Sequence, residues 1–247
     1  MRWTLLSCVL LAACAAAPAG LDPLLPADAL LLGEQHDASS HQRSHLHAVQ
    51  RLAAKGVLAA LALEMAEQGT STSGLAPEAD EAAVRAGLRW NEQAWPWSAY
   101  GPAVMAAVRA GVTVHGANLP RERMRAAMGD TQLDTLLEVA ALQAQRDAIR
   151  AGHCGLLPDT QLAPMARIQI ARDQAMARTV AQLVQPGKTV LLLAGAGHVD
   201  EALGIPRHLP STLRSRSLRW PAEPPVKDYC AELRRQMAPG AGKGGMP

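Results

Sequence analysis

Residues 189–198 read Thr-Val-Leu-Leu-Leu-Ala-Gly-Ala-Gly-His, and residues 29–36 read Ala-Leu-Leu-Leu-Gly-Glu-Gln-His. Each is a short apolar run that stops at a glycine and meets a histidine three residues later. A continuous apolar run of this length, without alternation, is the pattern of a strand covered on both faces, as in parallel sheets. Val57–Leu63 and Val112–Gly116 are continuously apolar in the same way, and a weaker fifth run lies at Leu213–Leu218. Between the runs, helical patterns lie near Ser39–Ala54, Gly101–Ala110, Arg121–Met128, Asp134–Ala151, Gln161–Val184 and Tyr229–Gln236. Strand and helix in alternation predict an α/β domain with a mostly parallel central sheet flanked by helices on both faces.

The chain of 247 residues, 49% of them hydrophobic, is long enough to bury one substantial core. It contains no Phe, so that core must be aliphatic and the few aromatics stand out. Lys and Arg number 24 against 22 Asp and Glu, and the basic residues are scattered. A net charge of +2 without clustering argues against nucleic acid or any other polyanion as partner.

The amino-terminal residues are expected to lie outside the fold. Arg2 precedes the apolar stretch Thr4–Ala13, which has signal-peptide length and is too short to span a bilayer. The stretch ends in Leu11-Ala12-Ala13-Cys14, which resembles the lipobox of bacterial lipoproteins, where the cysteine is lipidated and becomes the mature terminus. The alternative is an ordinary secretory signal cut at Ala15–Ala17. On the lipoprotein reading, residues 1–13 are the signal peptide and residues 14–27 a tether broken by Pro18, Pro23 and Pro26. Residues 28–237 are then the folded domain, and the Gly/Pro-rich residues 238–247 a disordered tail. Ala15 stands where lipoproteins of the inner membrane often carry Asp, which points to the outer membrane, facing the periplasm. An oxidising compartment allows Cys154 and Cys230 to pair, and their spacing leaves the question open.

In open α/β sheets the binding site forms beyond the carboxyl ends of the strands. Those ends read Gly33-Glu34-Gln35-His36, Leu63-Glu64-Met65, His115-Gly116-Ala117-Asn118 and Gly195-Ala196-Gly197-His198. Glu34, His36, Glu64 and His198 are therefore expected to share one site. Two carboxylates with two or three imidazoles make either a ligand set for a divalent metal such as Zn, Mn or Fe, or an acid/base cluster. A lone Glu or His at such a turn is more often a helix cap or a surface group. The repeated Gly-x-x-His phrase lifts the shared site above that.

Other motifs fail on detail. Gly195-Ala196-Gly197 begins like a dinucleotide fingerprint, but Asp200 stands where the third glycine belongs. His41 and His45 have zincin spacing without the glutamate after the first histidine. Gly240-Ala241-Gly242-Lys243 has no strand before it, and no Gly-x-Ser-x-Gly elbow exists.

Taken in order, several of these segments resemble one family. They are Gly33-Glu34-Gln35-His36-Asp37 with His41-Gln42, Leu63-Glu64-Met65 with Gln68, and Trp90 with Trp95-Pro96-Trp97-Ser98-Ala99-Tyr100-Gly101-Pro102. Ala117-Asn118-Leu119-Pro120-Arg121, Gly152-His153-Cys154-Gly155, Gln169 with Arg172-Asp173 and Met176-Ala177, and Gly195–Val199 follow. The chain resembles the ChaN-type haem-binding lipoproteins over roughly Ala29 to Leu209, within a wider group that holds the erythromycin esterases and the Tiki/TraB proteins. The resemblance implies a membrane-anchored haem-binding lipoprotein of the envelope, serving iron acquisition. It further implies haem held between two subunits with a tyrosine oxygen on the iron. The wider group implies an alternative, a metal-dependent hydrolase built on the paired Gly-x-x-His motifs and a Glu.

Two tyrosines are present, Tyr100 in the matched Trp-rich segment and Tyr229 beside Cys230, and His153 falls in another matched motif. Tyr100 and His153 are the expected haem-binding residues. Trp90, Trp95, Trp97 and Tyr100 could equally close one end of the aliphatic core.

Overall fold

A computed structural model describes residues 20–237. Residues 1–19, with the expected signal peptide and Cys14, and residues 238–247 lie outside the described residues. Among those described, no helix is long and apolar enough to cross a membrane. Residues 21–27, expected as tether, pack onto the body instead. Leu21 and Ala27 are buried, and Asp22 pairs with Arg51 and Lys55.

The elements run β1 Ala29–Glu34, α1 Ser39–Ala54, β2 Leu58–Glu67, α2 Glu81–Gly87, α3 Trp97–Arg109, β3 Val114–Asn118 and α4 Arg121–Gly129. There follow α5 Val139–Gly152, α6 Asp159–Leu183, β4 Thr189–Gly195, β5 Ser215–Arg219 and α7 Tyr229–Met237. The five strands form one parallel sheet in the order β3-β2-β4-β1-β5. The α/β architecture is thus as the sequence predicts.

The apolar runs divide by period two onto two faces. Leu30, Leu32, Leu61, Leu63, Leu191 and Leu193 pack with residues of α1 and α3, including Val49, Leu52, Val104 and Val108. Ala29, Leu31, Ala62, Val190, Leu192 and Ala194 pack with Met176, Ala177 and Val180 of α6. Every residue of β1 and β4 is buried, and each fully buried Leu contributes about 1.5–3 kcal/mol. Trp97 and Tyr100 belong to the first of these clusters, with Trp90 and Trp95 packed against it. They close one end of the core.

Three elements differ from expectation. Helix α2 starts at Asp80, whose side chain caps the amide of Ala83 at 2.8 Å. The helix expected from Asp134 begins only at Val139, because Asp130 caps the amide of Gln132 and starts a separate 3-10 turn, Thr131–Thr135. Strand β2 runs on to Glu67, so Glu64 lies inside it, at the shift in register between Leu63 and Glu67.

The strand order positions the site. Strand β4 inserts between β1 and β2, so Gly195 and the turn carrying His198 emerge between Glu34 and Glu64. Gly195 has no room for a side chain, since a Cβ there would lie 2.8 Å from His36 Nε2. Gly33 is equally confined, by Val199 at 2.3 Å.

Candidate functional site

Glu34 ends β1 with its side chain fully buried. Its Oε1 accepts hydrogen bonds from the Tyr100 hydroxyl at 2.6 Å and from His36 Nδ1 at 2.8 Å. Its Oε2 lies 3.3 Å from Nδ1 of His45, a histidine 1% exposed on α1. Burial pulls the His45 pKa down to about 4 despite the nearby Glu34 charge, so this ring is neutral at pH 7.

Glu64 is the centre of the second half. Its Oε2 accepts the backbone N–H of Gly195 at 2.6 Å, and its Oε1 accepts from the Arg172 guanidinium. His198 Nε2 lies 3.3 Å and His36 Nε2 3.9 Å from the same Oε1. Burial opposes ionisation of Glu64, but His198, Arg172 and His36 outweigh it and hold its pKa well below the usual value. On its far side, His198 Nδ1 meets Asp173 Oδ1 at 2.5 Å. Burial works against the imidazolium, yet the charges of Glu64 and Asp173 raise the His198 pKa to about 9. Burial also lifts Asp173 to about 6. For His36, burial is likewise overcome by Glu34 and Glu64, and its pKa is raised.

The structure thus brings Glu34, His36, Glu64 and His198 together in one chain of charge, Asp173–His198–Glu64–His36–Glu34. His36 is its accessible member, with a side chain 41% exposed and its ring edge-on to Trp95 at 4.8 Å. A cleft of about 330 Å³, lined by Glu64, Arg89, Trp95, Asn118 and Arg121 among others, opens beside it.

The cluster does not gather as a metal ligand set. Among the described residues no group of three or more His, Cys, Asp and Glu could hold a metal ion. Arg172, fixed by Asn118 Oδ1 at 3.0 Å, already places a cation on Glu64. His115, the third strand-end imidazole, sits on β3 across from Ser71, with its pKa lowered by burial.

The expected haem-binding residues fare differently. Tyr100 is 2% exposed and its oxygen is committed to Glu34, while burial and that carboxylate raise its pKa far above the ordinary phenol value. In this conformation the phenol oxygen faces Glu34 rather than solvent. His153 ends α5, half-buried. Its Nδ1–H donates to the Ile149 carbonyl at 2.8 Å, which leaves Nε2 with its lone pair outward from that bond. Tyr229 is 44% exposed, and its hydroxyl donates to Asp37 at 3.0 Å. Cys154 and Cys230 form a disulfide, so the pairing left open by spacing is made.

Arg172, Asp173 and His45 had no role assigned from sequence. The first two stand mid-helix, where only the four-strand geometry reveals a carboxylate and a guanidinium facing the sheet edge. His45 lies one turn after His41, whose Nδ1 accepts the Gln35 amide at 3.0 Å and whose Nε2 donates to the Pro221 carbonyl. That pair faces two different partners rather than one ion.

The fold and site together are those of a parallel α/β protein with a buried acid–base chain at its strand ends. The comparisons narrow it. The chain belongs to the family described as haem-binding uptake, Tiki superfamily, ChaN, whose model matches residues 21–209. It is similar to a solved structure described as cofacial heme binding to ChaN of Campylobacter jejuni. The two are 25% identical with a TM-score of 0.66, over 81% of this chain and 83% of that one. No curated protein matches the sequence.

Proposed function

We propose that this protein binds haem at the bacterial envelope, as a lipid-anchored part of haem or iron acquisition. The observation that carries the reading is the match of a haem-binding family across residues 21–209. The donor chemistry agrees with it. Imidazole and phenol oxygen are both established haem-iron ligands, and His153 offers a free Nε2 oriented by a backbone carbonyl. His153 is therefore the residue we assign to the iron, in place of Tyr100. Haem, when bound, would supply an iron centre, and His153 would hold it. The lipobox-like Leu11-Ala12-Ala13-Cys14 supports the anchor, and the cofacial haem of the Campylobacter protein supports a homodimer with haem between the copies.

The test is a hemin titration of the full chain followed by absorbance. A saturable, shifted Soret band is expected, and His153→Ala should weaken it. A full chain that leaves the hemin spectrum unchanged at every ratio would end the proposal.

A further inference from the structure

The family match ends at residue 209, yet the chain continues through β5 into α7 and is tied back to the body. Residues 221–229 form an exposed strap with Val226 72% exposed, and α7 buries no residue fully. The strap is held by polar contacts to the β1–α1 turn. The Glu223 amide donates to Gln35 Oε1, Ser40 donates to the Glu223 carboxylate, and the Val226 amide and Tyr229 hydroxyl both donate to Asp37. Exposed hydrogen bonds of this kind compete with water and hold a segment weakly. The covalent restraint is Cys154–Cys230, which joins the α5–α6 turn to the first turn of α7 across 76 residues.

His153 precedes one half-cystine and Tyr229 the other. With the bridged Cα atoms 5.6 Å apart, consecutive spacings of about 3.8 Å keep the His153 and Tyr229 Cα atoms within about 13 Å. Cys154 adopts a left-handed φ of 57° at this turn, a conformation that costs a non-glycine residue energy and is kept where the surroundings fix it. Both half-cystines are only partly buried.

We propose that the Cys154–Cys230 bridge is a redox latch on the ligand site. Oxidised, it holds α7 and Tyr229 as a wall beside His153. Reduced, it releases the strap and lowers the affinity for haem. The inference rests on the haem-binding reading. Opening consumes a dithiol. One of its thiolates attacks a bridge sulfur to give a mixed disulfide, and the other cysteine leaves as thiolate and takes a proton. The second thiol of the dithiol then resolves the mixed disulfide. Two electrons and two protons pass to Cys154 and Cys230, and the dithiol becomes a disulfide.

The experiment compares the full chain with its Cys154→Ser/Cys230→Ser double variant, without added reductant. In the haem-free proteins, backbone amides of residues 221–237 should exchange about tenfold faster or more in the variant, while those of β1 and β4 keep their protection. Hemin affinity should fall by about tenfold or more, since an unanchored wall must be ordered on binding. Tyr229→Ala, which keeps the bridge and removes one of the strap's hydrogen bonds, should weaken hemin by a smaller factor. Wild type that binds hemin no better than the double variant, or unchanged exchange in residues 221–237, would overturn the latch. A wild type with no Soret shift at all would instead sink the haem reading, and the latch with it.

Discussion

The hydroxyl of Tyr100 and the carboxylate of Glu34 share a buried 2.6 Å hydrogen bond that joins α3 to the end of β1. Tyr100→Phe keeps the ring and removes that donor, leaving Glu34 buried with His36 as its remaining close donor. The loss of a hydrogen bond to a buried charged group costs about 1.5–3 kcal/mol. We therefore expect a lower Tm by circular dichroism and an unchanged Soret band with hemin. An altered band at constant Tm would return Tyr100 to the iron.

Arg172 ion-pairs with the buried Glu64 across the site. Removing one partner of a buried ion pair costs about 3–5 kcal/mol, and His198 on the same carboxylate should keep Arg172→Met near the lower figure. Urea unfolding measures it. Because Arg172 already supplies the cation, a chelator should not move the Tm of wild type. A drop of several degrees on chelation would show a bound metal and displace this account of the cluster.

Much of this was legible in the sequence, for reasons that can be named. The unbroken runs at 29–32 and 189–194 are apolar because both faces of β1 and β4 are buried, and the same fact made them readable. Glu34, His36, Glu64 and His198 were found because strand ends in a parallel sheet converge. What stayed hidden depended on contacts distant in sequence. The bond from the Tyr100 hydroxyl to Glu34, 66 residues away, leaves no local signal. Asp173 is one carboxylate on a long helix until β4 brings His198 to it. The α2 start at Asp80-Glu81 carries an ordinary cap signal that the short, weakly apolar segment after it obscured.

The anchor is tested apart from the fold. Cys14→Ser removes the thiol that a lipid would modify, and stable attachment needs two acyl chains or an equivalent pair of signals. The variant should move from the membrane to the soluble periplasmic fraction and lack the lipid mass. Membrane partition that survives the change, with no lipid on wild type, would refute the lipoprotein assignment.

The last prediction concerns pH and follows from His198. Its pKa is raised from 6.5 to about 9 in the fold, so its stabilising contribution is fully present below about pH 6.5. As pH rises toward 9 the folded state keeps a proton that the unfolded state has already lost. Stability should fall by about 1.4 kcal/mol per pH unit per such group across that window. His36, also raised, adds in the same sense. Asp173, raised to about 6, contributes stability that is lost earlier, between about 4 and 6, while Glu64 acts in the opposite direction and destabilises only on acidification. Between pH 7 and 9 the histidines alone of this cluster should set the slope. Urea denaturation at pH 7, 8 and 9 should show it for wild type, and His198→Gln should flatten it because the amide keeps contacts without titrating. Were the two slopes equal, the imidazolium between Glu64 and Asp173 would not exist, and the buried chain of charge would have to be redrawn as a neutral hydrogen-bond network.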